Sequence, residues 1–127
     1  MKKYGFFLLF FAMAAFLISA TLISNSSRSP EGLPDDISKI VENSCYGCHN
    51  TDSKNEDAKE ELDFNTLNDL KKVKKITTLR DIAEVLEENE MPPKKFLEKY
   101  PDKKPTEKEK ATLIKWAKKE SEALIGN

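Results

Sequence analysis

The chain has one histidine, two cysteines and one tryptophan in 127 residues. No stretch of it alternates apolar and polar residues as a half-buried strand does. The missing strand pattern excludes a β-rich architecture and a thioredoxin-like βαβ redox fold. Three Cys and His residues fall short of a four-ligand structural zinc site, which would have to recruit a carboxylate. Aromatic residues are also scarce where a core is needed, since five of the seven phenylalanines lie in the first 16 residues. Of the 49 apolar residues, 18 lie in residues 1–27, leaving 31 for the remaining hundred, and a domain so poorly supplied is marginal by itself. No charge sign dominates: the 22 acids all follow residue 27 and meet 19 Lys and Arg there, so nucleic-acid binding has no support.

What is present begins with a leader. Lys2 and Lys3 form a basic tip, residues 6–18 are an unbroken apolar run, and the apolar character continues weakly to Ile23. Residues 1–23 therefore read as a signal peptide or an N-terminal membrane anchor. Ala20, Ser24 and Ser26 complete no small-x-small cleavage site, so both fates stay open. In either, the basic tip stays in the cytoplasm and the rest is delivered outside, to the periplasm or the outer face of the cytoplasmic membrane. No cysteine follows the run to take a lipoprotein anchor. Residues 24–34, rich in Ser and Pro, read as a flexible linker, and residues 35–127 as the folded domain.

Cys45-Tyr46-Gly47-Cys48-His49 gathers both cysteines and the histidine into five residues. Cys-x-x-Cys-His is the attachment signature of c-type haem. Two thiols one helical turn apart reach the two vinyl groups of one porphyrin, and the imidazole that follows ligates iron. Gly47 leaves room for the macrocycle. A simple Cys45–Cys48 disulfide is the blander reading, but so short a loop stabilises little. One covalent haem c also supplies the apolar plate that a poorly furnished core needs.

The apolar spacing predicts helices throughout. Asp35 or Asp36 can cap a helix carrying Ile37, Ile40 and Val41 on the face that leads to Cys45 and Cys48. Residues 50–60 are polar, lack periodicity and read as a surface loop. Leu62 and Phe64 anchor an extended segment, and Asn65 is placed to cap a short helix. Val73, Ile76, Leu79, Ile82, Ala83 and Leu86 define a longer helix that ends at Glu88 or Asn89, before Pro92 and Pro93. Phe96, Leu97 and Tyr100 make a small apolar patch, and residues 101–105 a charged connection. Thr106-Glu107-Lys108-Glu109 is a capping box for a final helix with Leu113, Ile114, Trp116, Ala117, Leu124 and Ile125 on its apolar stripe. Trp116 is assigned a structural role.

Met91 is the one thioether after the leader, and it sits where the prolines stiffen the chain past a helix end. A thioether opposite His49 would complete a six-coordinate iron and raise its reduction potential, as in electron-carrier cytochromes. The alternatives are Met91 as core filler, with iron five-coordinate or bound by Lys94 or Lys95. A lysine group at 94, 95, 99, 103 and 104 could steer an acidic redox partner, although interspersed acids fit a plain solvated surface better.

Cys45 to His49, Leu62-Asp63-Phe64, Glu90-Met91-Pro92 and Leu113-Ile114-Lys115-Trp116-Ala117 together resemble the small haem-binding domain family of exported bacterial proteins, over about residues 35–125. The resemblance implies haem binding and a cytochrome c-like helical fold. Where that family carries an aromatic Tyr-Pro-Trp-Tyr-like stretch after the haem motif, this chain has charged residues. The expectation is thus an all-α monohaem domain performing one-electron transfer with a redox partner protein, and not an enzyme. Cys45 and Cys48 are its anchors, His49 and Met91 its iron ligands. The second reading is a haem-based sensor with an open or weakly held sixth position.

Overall fold

A computed structural model describes residues 30–126, and the leader, the proposed cleavage positions and residues 24–29 lie outside the described residues. The described residues form five α-helices and two 3₁₀ turns with no strand among them. The all-α expectation holds. No described helix is long and apolar enough to cross a membrane.

Helix α1 spans Asp35–Ser44 and buries Ile37, Ile40 and Val41. Its N-cap is Pro34, with no side-chain cap, so neither aspartate caps the helix as expected. Asp35 and Asp36 sit instead inside the first turn, where a negative charge meets the positive end of the helix dipole. Residues 30–34 of the expected linker are attached here. Pro30 is buried, and Asn68 Nδ2 donates to Glu31 O at 3.1 Å. Gly32 has φ +81°, a left-handed conformation that favours glycine, and it lies against the Asn68 side chain.

Residues 50–60 are not the featureless loop that their composition predicts. They contain a short helix, α2 (Glu56–Glu61), whose N-cap Asn55 accepts from Ala58 N. The helix buries no side chain, which is why no apolar period announced it. Next comes a 3₁₀ turn, Leu67–Asp69, with Leu67 buried. Asn65 does not cap it; Thr66 holds that position, without a side-chain bond.

Helix α3 (Lys72–Glu87) buries Leu79, Ile82, Ala83 and Leu86, while Val73, expected on the same stripe, is 77 % exposed in the first turn. The helix stops in a Schellman arrangement. Asn89 takes φ 58°, Asn89 N donates to Leu86 O at 3.3 Å and Glu90 N to Val85 O at 2.9 Å. Asparagine tolerates the left-handed region better than most residues. After the cis Met91–Pro92 bond, Pro93 begins α4 (Lys94–Lys99), which turns the expected Phe96–Tyr100 patch into a helix with the two rings 5.1 Å apart. A 3₁₀ turn, Pro101–Lys103, leads on to α5 (Glu107–Gly126).

The capping box at the start of α5 forms as its sequence predicts. Glu109 N donates to Thr106 Oγ1 at 3.2 Å, and Thr106 N donates to Glu109 Oε2 at 2.7 Å. Leu113 and Ala117, 2 % and 0 % exposed, pack α5 against α3 in the most extensive helix pairing, and α1 lies against α5 as well. Each fully buried Leu or Ile on this seam contributes about 1.5–3 kcal/mol. Lys110 Nζ donates to Asn89 Oδ1 at 2.7 Å, tying the start of α5 to the end of α3. Met91 follows two residues after Asn89.

Candidate functional site

The cysteine motif continues directly from α1. Cys45 N and Tyr46 N both donate to Val41 O at 2.8 Å, and Cys48 N and His49 N both donate to Cys45 O at 3.1 Å. The chain is thereby wound into a compact turn that puts Cys45, Gly47, Cys48 and His49 on one cavity wall. A Cβ on Gly47 would meet no atom within 4 Å, so its bare face opens on this space rather than on protein.

His49 is held from outside the motif. Its Nδ1 lies 2.8 Å from Ala58 O and 3.1 Å from Leu62 O. Both partners are carbonyl oxygens, which only accept. Nδ1 therefore carries the hydrogen and donates it, and in the neutral ring the lone pair is then on Nε2. An imidazole prepared to ligate a metal is held in this way. Helix α2, unpredicted from the sequence, thus contributes a carbonyl that orients the ring, and Asn55, by capping α2, acts through it. The signal was present in Asn55-Glu56-Asp57, a cap residue followed by two acids. Phe64 packs edge-on to the imidazole at 6.5 Å, and Phe64 N donates to His49 O at 3.2 Å. Tyr46 Oη donates to Asn65 Oδ1 at 2.6 Å, which pins the motif to the extended segment and accounts for Asn65.

Two cavities meet at these residues. The larger, of about 480 Å³, runs from the motif past Ala58 and Glu61 to Leu86, Met91, Pro92, Pro93 and Phe96. The smaller, of about 180 Å³, extends inward past Val41, Phe64, Ile82, Leu113 and Trp116. Cys45, His49, Glu61, Leu86 and Met91 line both. The larger volume falls in the range of about 300–1,000 Å³ usual for cofactor clefts. Cys45, Cys48, His49 and Met91 are therefore brought onto one continuous space. Lys94 and Lys95 line neither cavity and stand exposed. Trp116 is half-buried against the core and forms part of the inner wall.

Both thiols are free. Cys45 opens on both cavities but is enclosed by protein elsewhere. Burial pushes its thiol up to about 12, and the nearby Cys48 sulfur adds to the rise. A dithiol used for exchange has its attacking thiol lowered instead, so the environment of Cys45 opposes that chemistry. Among the described residues no group of three or more His, Cys, Asp and Glu side chains is arranged to hold a metal ion by itself. The residues fit haem: an apolar slot, two free thiols beside a side-chain-free Gly47, an imidazole with one nitrogen held and the other available, and a thioether on the same walls.

No curated protein and no solved structure matches the chain. Residues 51–119 match the family model described as a haem-binding domain. The match begins just past His49 and runs through α2, Met91 and Trp116, so it rests on the scaffold independently of the cysteine motif that shares the same cavity. More than half of the chain is covered, and together with a slot suited to the cofactor this makes the protein a haem-binding member of the haem-binding domain family.

Proposed function

We propose that the protein is a monohaem c-type cytochrome that transfers single electrons outside the cytoplasmic membrane, and that it is not an enzyme. The observation that carries this reading is His49: Nδ1 donates to two carbonyls, and the residue shares a cavity wall with Cys45, Cys48 and Met91. Cys45 and Cys48 would anchor the porphyrin through thioethers, with His49 the proximal and Met91 the distal ligand. Bound haem supplies a one-electron iron couple. The chain itself does the rest. The Ala58 and Leu62 carbonyls keep the His49 ring in one tautomer and orientation, and Phe64 backs it. The Asn89 turn presents Met91, and the apolar lining keeps water from the slot. Residues 1–23 would deliver the domain and, if retained, hold it to the membrane, where it would meet a redox partner protein.

A specific feature favours the second reading, a haem-based sensor. Met91 is 38 % exposed, and an apolar cavity continues behind it. A weakly held sixth position with such a space could admit a small neutral ligand.

Optical spectra of the matured holoprotein and of Met91→Ala separate the two. Colour that survives denaturation and acid extraction establishes the thioethers. A weak far-red band that is lost in Met91→Ala, with resistance to carbon monoxide in the wild type, supports the electron carrier. Identical spectra and ready carbon monoxide binding favour the sensor.

A further inference from the structure

We propose that Lys103 is the cationic partner of a haem carboxylate and so helps to seat the cofactor, an inference that rests on the haem reading of the cavity. Haem is a largely apolar plate with two carboxylates on its rim. A carboxylate brought against an apolar wall needs water or a counter-charge. The walls of the two cavities carry Glu42, Asp57, Glu61 and Asp81, and among the described residues Lys103 is the one lysine or arginine on either. Anionic neighbours repel a haem carboxylate, and Lys103 attracts it.

The position of this lysine is built by the fold. In the Pro101–Lys103 turn, Lys103 N donates to Tyr100 O at 3.1 Å and Lys104 N to Pro101 O at 3.3 Å. Asn43 Nδ2 donates to Asp102 O at 3.4 Å, fastening the turn to the end of α1 beside the cysteine motif. Lys103 is partly covered, whereas Asp102 and Lys104 on either side are exposed. Its ion pair with Asp102 spans 4.0 Å, with the aspartate side chain 74 % exposed. Such a pair contributes little and leaves the ammonium free to turn to a better partner. Lys94, Lys95, Lys99 and Lys104 lie off both walls.

The test uses the full chain made without haem maturation, its thiols reduced. It is titrated with mesohaem, whose ethyl groups form no thioether, and with mesohaem dimethyl ester, which lacks the two charges. Lys103→Gln is expected to weaken mesohaem binding about threefold to fivefold, to leave the ester unchanged, and to be rescued by Lys103→Arg. An equal change for both compounds, or none for either, overturns the assignment. A wild-type chain that binds neither compound overturns the haem reading of the cavity, a separate and recognisable failure.

Discussion

The two halves of this domain are held together by different physics. The scaffold half, α3 and α5, consists of long helices joined along an apolar seam of Leu79, Ile82, Ala83, Leu86, Leu113 and Ala117. The site half, from the cysteine turn through α2 to Phe64, relies on short-range hydrogen bonds: a cap at Asn55, two carbonyls on His49, and the Tyr46–Asn65 and Thr51–Asp63 pairs. Helix α2 buries nothing of its own. Apolar burial is worth more than such bonds, which contribute about 0.5–1.5 kcal/mol each. The site half therefore depends more heavily on support from the rest of the fold, through Phe64 in the shared core, and on the cofactor.

The largest effect expected from breaking this division is Leu113→Ala, at about 2–5 kcal/mol of stability by denaturant unfolding of the haem-free chain. The site half should unfold in the same transition, and two separate transitions would show the halves to be independent. Next is the alkaline limb. The native Cys45 thiol titrates near 12 against an ordinary 9.0, so the folded state retains the proton longer than the unfolded one. That contribution is complete below pH 9 and is lost as the pH rises towards 12. Stability of the reduced, haem-free protein measured from pH 8 to 11 should fall more steeply than in Cys45→Ala; parallel curves would remove burial as the cause.

Asn55→Ala is smaller, about 1 kcal/mol, and local. Amide exchange should quicken in residues 56–61 but not in α3 or α5, and a uniform increase would erase the distinction between the halves. The smallest effect is Glu109→Gln, at the start of α5. Hydrogen bonds from the Thr106 backbone and then its side chain hold the Glu109 carboxyl below its ordinary 4.5. Its contribution is present above that value and lost as the pH falls through the lowered one. The variant should flatten the acid limb slightly and leave the His49 ring resonances unmoved.

Local signals were legible where they were complete in themselves. Thr106 to Glu109 contains every partner of its capping box, and the apolar spacing of α3 and α5 follows from helical period alone. The cysteine motif likewise carries its chemistry in five consecutive residues. Legibility failed where neither period nor apolar content was available. Residues 56–61 have no apolar face, Asn65 bonds a tyrosine 19 residues away rather than a helix end, and Val73 falls in a first turn that leaves it in solvent. Lys94 and Lys95, the alternatives to Met91 as iron ligand, lie outside the cavity, whereas Lys103, farther along the chain, lies on its wall.

The sequence by itself determined the all-helical class, the start of α5 at its capping box, the end of α3 ahead of the prolines, and the thiols and imidazole that a haem would require. Those depend on contacts within a few residues, which the order of the chain already contains. Tertiary structure alone decided that Ala58 and Leu62 hold His49 in one tautomer, that the Asn89 turn brings Met91 to the same space, and that Lys103 answers a wall of acids. Each joins groups from separate segments, and their meeting depends on how the α3–α5 seam and α1 pack rather than on any local preference.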